Sequence, residues 1–204
     1  MQDAVEIEEP GFARWLFMSK GAAWIWLVAR VYLGYQWLHA GFEKLTGTEG
    51  GFWTWHFAYT TDSWLRSSAG LQGFVAYALK GANAGPNSPV NYGWYAAFLR
   101  WLEHPTVSAF FAKLVTIGEI AIGIALILGI FTGIAAFLGG MLNVSFGLAG
   151  IAGVNPVFFV LEVLLVLAWR NAGYYGLDRY VLPALGTPWH RGKVHGHEPQ
   201  HQLA

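Results

Sequence analysis

Four stretches of this chain stay apolar for about 20 residues, the length at which a helix crosses the hydrocarbon core of a bilayer. Their approximate bounds are 21–42, 107–129, 131–150 and 155–174. Almost nothing separates the second from the third, so the pattern predicts a tight helical hairpin there. The fourth opens on Asn155-Pro156, where proline suits the first turn of a helix. The predicted fold class is all-α, a four-helix transmembrane bundle forming a single integral membrane domain.

Residues 43–105 break the pattern. They are too polar to cross, yet rich in tryptophan and tyrosine, whose amphipathic rings favour the headgroup zone. Within them, 62–80 and 92–103 read as amphipathic helices lying on the membrane, joined by a Gly/Pro/Asn turn region. A small extramembrane cap folded on itself is the alternative. From 183 to 204 the chain is a polar tail.

Composition supports lipid as the solvent. Of 204 residues, 55% are hydrophobic and 12% charged, against about 25% charged in soluble domains. The zero net charge gives no reason to expect a nucleic-acid partner. The absence of cysteine removes disulfides, thiol relays and iron–sulfur ligation from this chain. The opening "MQDAVEIEEP" is acidic and has no apolar core, so no cleaved signal peptide is expected. Four spans put both termini on one side. That side carries Arg14, Lys20, Arg170, Arg179, Arg191 and Lys193, against Lys44, Arg66, Lys80 and Arg100 in the long loop. The bias predicts cytoplasmic termini.

Each span carries near its middle a residue that is expensive in lipid: Arg30, Glu119, Asn143 and Glu162. Measured from the cytoplasmic end of each span at about 1.5 Å per residue, their depths come to roughly 13, 15, 18 and 15 Å. The four therefore predict one polar layer inside the bundle, with Arg30 paired to Glu119 through two parallel guanidinium donors. Arg30, Gly34, Trp37, Gly41 and Lys44 share one helical face. Thr116, Glu119 and Gly123 share another, and Gly133, Ala136, Gly140, Asn143 and Gly147 form a stripe of small residues that lets helices approach. The bland reading of the set is helix glue. Glu162, a second carboxylate without a cation of its own, tilts it toward function and makes Glu119 and Glu162 candidate catalytic groups. Lys113 is expected to reach out to the headgroups.

The outer end of the first span, "QWLHAGFEKLTG", offers different chemistry. His39 is a candidate catalytic proton donor to a quinone carbonyl, with Trp53, Trp55 and His56 of the aromatic loop as candidate quinone-binding walls. The bland alternative is an interfacial histidine. The tail histidines His190, His195, His197 and His201 have no regular ligand spacing, so no metal site is expected.

The runs "RVYLGYQWLHAGFEKL", "GEIAIGIALILGIFTGIAA" followed by Asn143, and "AWRNAGYYGLDRYVLP" resemble the DoxX/DoxD family of four-helix membrane proteins. The resemblance implies a multi-pass protein of a prokaryotic-type cell membrane. Its DoxD branch implies a membrane subunit of thiosulfate:quinone oxidoreductase, passing electrons from thiosulfate to a membrane quinone beside a further subunit or a second copy. No resident cofactor motif is visible, and quinone enters as a substrate. A non-catalytic accessory subunit of a respiratory or redox complex is the competing expectation, and a small-solute transporter the third.

Overall fold

A computed structural model describes residues 10–47, 61–80, 90–151 and 153–185 of the chain. Those residues are helical, with no strand among them. Helix α1 (Gly11–Met18) is followed by a short turn of 3-10 helix and by α2 (Ala23–Thr46). Then come α3 (Ala69–Leu79), α4 (Gly93–Leu102), α5 (Pro105–Leu128), α6 (Thr132–Leu148), α7 (Asn155–Leu167), α8 (Trp169–Ala172) and α9 (Asp178–Ala184).

Local chemistry sets several of these bounds. Pro105 stands in the first turn of α5, and Gly129, left-handed at φ 64°, ends that helix. After Ile130, Phe131 is also left-handed at φ 50°, a conformation that a bulky residue holds only when its surroundings compensate. The expected hairpin is thus present, and its turn is strained.

α2 packs antiparallel to α5, and α6 to α7. Gly34 and Gly123 make the first contact possible: a Cβ on Gly123 would fall 2.6 Å from the Leu38 amide nitrogen, so the two backbones touch. Between the pairs lies a core of Trp26, Leu33, Trp37, Ile122, Leu126 and Leu165 with small alanines. A second core forms where α3 and α4 meet the start of α5, from Leu71, Val75, Tyr95, Leu99, Leu102 and Ala112. Tyr95 ties it to α6 by donating to the Ser145 carbonyl at 2.6 Å. Burial raises the Tyr95 phenol above its ordinary value of 10, with that hydrogen bond opposing the rise. Of the two loop helices expected from the sequence, the second is present as α4, and the first is helical only from Ala69 to Leu79, with turns and bends over 61–68. Both pack against the start of α5 as a cap on the bundle. Tyr77, Tyr92, Trp94 and Trp101 stay on its outside.

Among the described residues, α5 is by itself long and apolar enough to cross a membrane. The bent unit Gly11–Met18 with Lys20–Thr46, turned by 68°, passes the same test when counted as one span. α6 and α7, at 17 and 13 residues, are apolar but shorter. The expected fourth span of 155–174 is interrupted after Leu167. Asn171 donates its side-chain amide to the Leu16 and Ser19 carbonyls, at 3.0 and 2.9 Å, and so ties this part of the chain to α1.

Candidate functional site

The four expensive residues do not form one layer. Arg30 reaches the end of α5, where its guanidinium donates to the Leu126 and Ile127 carbonyls, both at 2.7 Å, and to the Tyr175 carbonyl at 2.8 Å. It therefore satisfies carbonyls that a helix C-terminus leaves without partners. The expected Arg30–Glu119 pair is absent. Depths counted from each span's own end misplace it, because α2 begins nearly three turns before the level at which α5 ends. Gly34 already lies against Ile127, and Gly41 against Ile120 and Glu119. Arg30 and Gly41 are eleven positions apart on α2, roughly 16 Å of helix rise.

Asp178 completes the turn from the other side. Its two carboxylate oxygens accept from the Phe131 and Thr132 amides at the start of α6, the second at 2.9 Å. These bonds compensate the strained backbone at Phe131 and place a negative charge at the positive end of a helix. Asp178 is not among the sequence candidates. The sequence carries no signal for it, because Thr132 in "GIFTG" offers a cap of its own; the structure instead starts α6 at Thr132 and leaves Phe131, which has no side-chain acceptor, at the cap position.

Glu162 sits between three helices. Trp37 Nε1 of α2 donates to its Oε1 at 2.8 Å, and Asn143 Nδ2 of α6 to its Oε2 at 2.8 Å. The predicted closeness of Asn143 and Glu162 is present, and Trp37 is the partner that sequence reasoning leaves out. The group is sealed, because a Cβ on Gly139 would lie 2.6 Å from Glu162 Oε1 and 3.0 Å from Trp37 Nε1.

Glu119 is arranged differently. Lys44 Nζ lies 2.8 Å from its Oε2, yet neither carboxylate oxygen receives a well-aligned hydrogen bond among the described residues. The carboxylate is 1% exposed and the lysine 21%. Lys44 also lies over the Trp64 ring, 5.4 Å from its centre, and its carbonyl accepts from the Trp64 amide at 2.9 Å. Both partners are visible in the sequence; their pairing is not, since Lys44 stands there among interfacial residues. One turn back on α2, His39 Nδ1 is 3.7 Å from Glu43 Oε1, and its ring neighbours Tyr35 with centres 6.1 Å apart. His39, Glu43, Lys44 and Glu119 thus bring four titratable groups to one end of the α2–α5 pair. Trp53, Trp55 and His56, expected to wall this site, lie outside the described residues, as do the tail histidines. Lys113 is exposed and away from the cluster.

Nearby, α5 and α6 splay to leave an apolar groove of about 500 Å³. Phe111, Leu114, Ile122, Leu138 and Met141 line it, and Ser145 is its polar exception. It passes Gly118, next to Glu119 but on another face of α5.

Residues 82–149 match the DoxX family model. The match is consistent with a DoxX-family member and agrees with the resemblance carried by the sequence motifs. DoxX proteins are membrane proteins. The matched stretch includes Glu119 and Asn143, whereas Arg30, His39, Lys44, Glu162 and Asp178 lie outside it. No curated protein and no solved structure matches the chain.

Proposed function

We propose that this DoxX-type protein is a quinone-reactive integral membrane subunit of the thiosulfate:quinone oxidoreductase type. It crosses the membrane four times with both termini in the cytoplasm. Large apolar side chains support the topology, standing exposed on the outer faces of α2, α5, α6 and α7: Val28, Ile117, Ile124, Ile134, Phe137, Val157 and Val160 among them. A girdle of that kind favours lipid over water. Reporter fusions at residue 80 and at the C-terminus test this topology. They report opposite compartments if it holds, and the same compartment if the span count is wrong.

The observation that carries the chemical reading is the Lys44–Glu119 pair. Reducing a quinone to a quinol takes up two electrons and two protons, so the site needs titratable groups that reach water. Glu119 is buried with an oxygen unused among the described residues, Lys44 joins it to the partly exposed end of the helix, and His39 lies one turn away. In this reading His39 donates a proton to a quinone carbonyl, and Glu119 with Lys44 supplies the second. The groove between α5 and α6 offers an apolar surface to the isoprenoid tail. Electrons come from thiosulfate by way of a partner subunit.

Thiosulfate-dependent quinone reduction in membranes at matched expression tests the assignment. His39→Gln and Glu119→Gln are each expected to lower the rate by about 100-fold, the low end for losing a general acid, while Glu162→Gln keeps most of it. Full activity in His39→Gln with loss in Glu162→Gln moves the site inward to Glu162. A second reading, a non-catalytic accessory subunit, draws on Arg30, Asp178 and Glu162, whose contacts all hold helices together. An unaltered protein without activity favours that reading.

A further inference from the structure

Two cations lie against one tyrosine ring at the end of the molecule opposite Glu119. Lys20 Nζ is 5.6 Å and Arg179 Cζ 5.4 Å from the centre of the Tyr174 ring. Neither has a carboxylate within ion-pair reach among the described residues. Asp178, next to Arg179 in the chain, is buried with both oxygens committed to the start of α6. Arg14 and Arg170 are exposed at this same end. Both charges therefore neighbour the same ring, and an anion that reaches the two gains Coulomb energy from each.

The surrounding helices say where that anion lies. α1 turns 68° away from α2 and presents Phe12 and Trp15, 71% and 42% exposed. It is held against the bundle: Trp26 Nε1 donates to the Leu16 carbonyl at 2.8 Å, and Asn171 to the same carbonyl and that of Ser19. A short, firmly anchored helix at such an angle to a span, with exposed aromatic residues, lies in the plane of the membrane interface. Lys20 follows α1 directly, so both cations stand at headgroup depth. We infer that Lys20, Arg179 and Tyr174 form a binding site for the phosphate of an anionic phospholipid in the leaflet where α1 lies.

This site is independent of the quinone reading, and its test reads lipid retention rather than turnover. The full-length protein, purified in mild detergent, is mixed with phosphatidylglycerol and phosphatidylcholine of equal chain length and examined by native mass spectrometry. Phosphatidylglycerol is expected to remain bound in preference. The double variant Lys20→Gln, Arg179→Gln is expected to lower its retention about tenfold or more, two juxtamembrane cations being lost, at an unchanged melting temperature. Arg100→Gln, removing a charge from α4 at the other end, leaves retention as it was. Should the double variant fold poorly, Arg179→Gln alone carries the test, with a loss of about fivefold. Equal retention of the two lipids, or no loss in the variants, overturns the proposal. So does displacement of the lipid by soluble glycerol phosphate, which would make this a site for free phosphate. Lipid binding that appears only after Glu6, Glu8 and Glu9 are changed to Gln also overturns it, by making the acidic N-terminal segment the occupant.

Discussion

Glu119 and Glu162 are both carboxylates on apolar helices, each 1% exposed. Their surroundings nevertheless differ in kind. Glu162 accepts one neutral N–H on each oxygen, from α2 and α6, and Gly139 leaves no room for anything more. Among the described residues, Glu119 has the Lys44 ammonium beside one oxygen and an oxygen with no hydrogen-bond partner. A buried polar group whose capacity is used up joins helices. One whose capacity is left over requires an explanation, and functional sites are where such groups collect. Burial and residue type alone do not separate the two cases; the partners do.

The sharpest way to break this comparison is to remove each carboxylate. Glu162→Leu strands the Trp37 N–H and the Asn143 amide in the bundle core, and is expected to cost about 2–6 kcal/mol at roughly 1–3 per orphaned group. Glu119→Leu strands only Lys44, which is partly exposed and can swing its ammonium to water along its own aliphatic stem. The expected change there is within about 1 kcal/mol of the parent, well under the usual penalty for leaving a fully buried charge alone. Thermal unfolding in detergent reads both. Equal losses would mean that Glu119 braces the bundle as much as Glu162 does.

The next effect is smaller and probes the seal. Gly139→Ala drives a methyl group into Glu162 and Trp37, and is expected to destabilise by about 1–3 kcal/mol, as overpacking does. Gly118→Ala is the control on α5, where an added Cβ meets nothing within 4 Å. It is expected to be neutral or to stabilise by up to about 1 kcal/mol, through helix propensity. A Gly139→Ala protein that melts with the parent would show that the Glu162 pocket has slack, and would reopen it as a ligand site.

How far the sequence reveals these arrangements depends on the range of the interaction. The α5–α6 hairpin, proline at the first turn of α7 and the loop helices follow from local periodicity and caps, and these are present. Which face of α2 turns inward was also legible, since Arg30, Gly34, Trp37 and Gly41 are all buried. The relative slide of α2 along α5 was not. It is set by Gly34, Gly41 and Gly123 letting two backbones touch at one register, a pairwise property that no single helix displays. A slip of about three turns exchanged the partners: Arg30 went to carbonyls at a helix end, and Glu119 to Lys44. Asp178 was out of reach for a similar reason, because it caps a helix that begins 46 residues earlier.

The smallest expected effect separates hydrogen bonding from charge at Glu162. Glu162→Gln keeps the shape of the side chain but turns one acceptor into a donor. Trp37 can donate only, so the introduced amide must turn its oxygen toward the indole. That leaves its NH₂ facing Asn143, where an N–H now meets an N–H. Asn143 resolves the conflict by rotating its own amide half a turn and offering oxygen in place of nitrogen, a change that alters no heavy-atom position. Both contacts survive, and the expected loss is about 1 kcal/mol or less, in line with interhelical hydrogen bonds in membranes averaging ~0.6 kcal/mol. Asn143→Leu in the parent orphans a carboxylate oxygen, whereas on top of Glu162→Gln it orphans only a neutral amide, so the double variant is expected to cost no more than the sum of the two single changes. A Glu162→Gln loss of about 2 kcal/mol or more that persists in the Asn143→Leu background, measured by thermal unfolding, would contradict a role confined to these hydrogen bonds. It would then be the negative charge on Glu162, rather than its place in a hydrogen-bonded brace, that the bundle is built to hold.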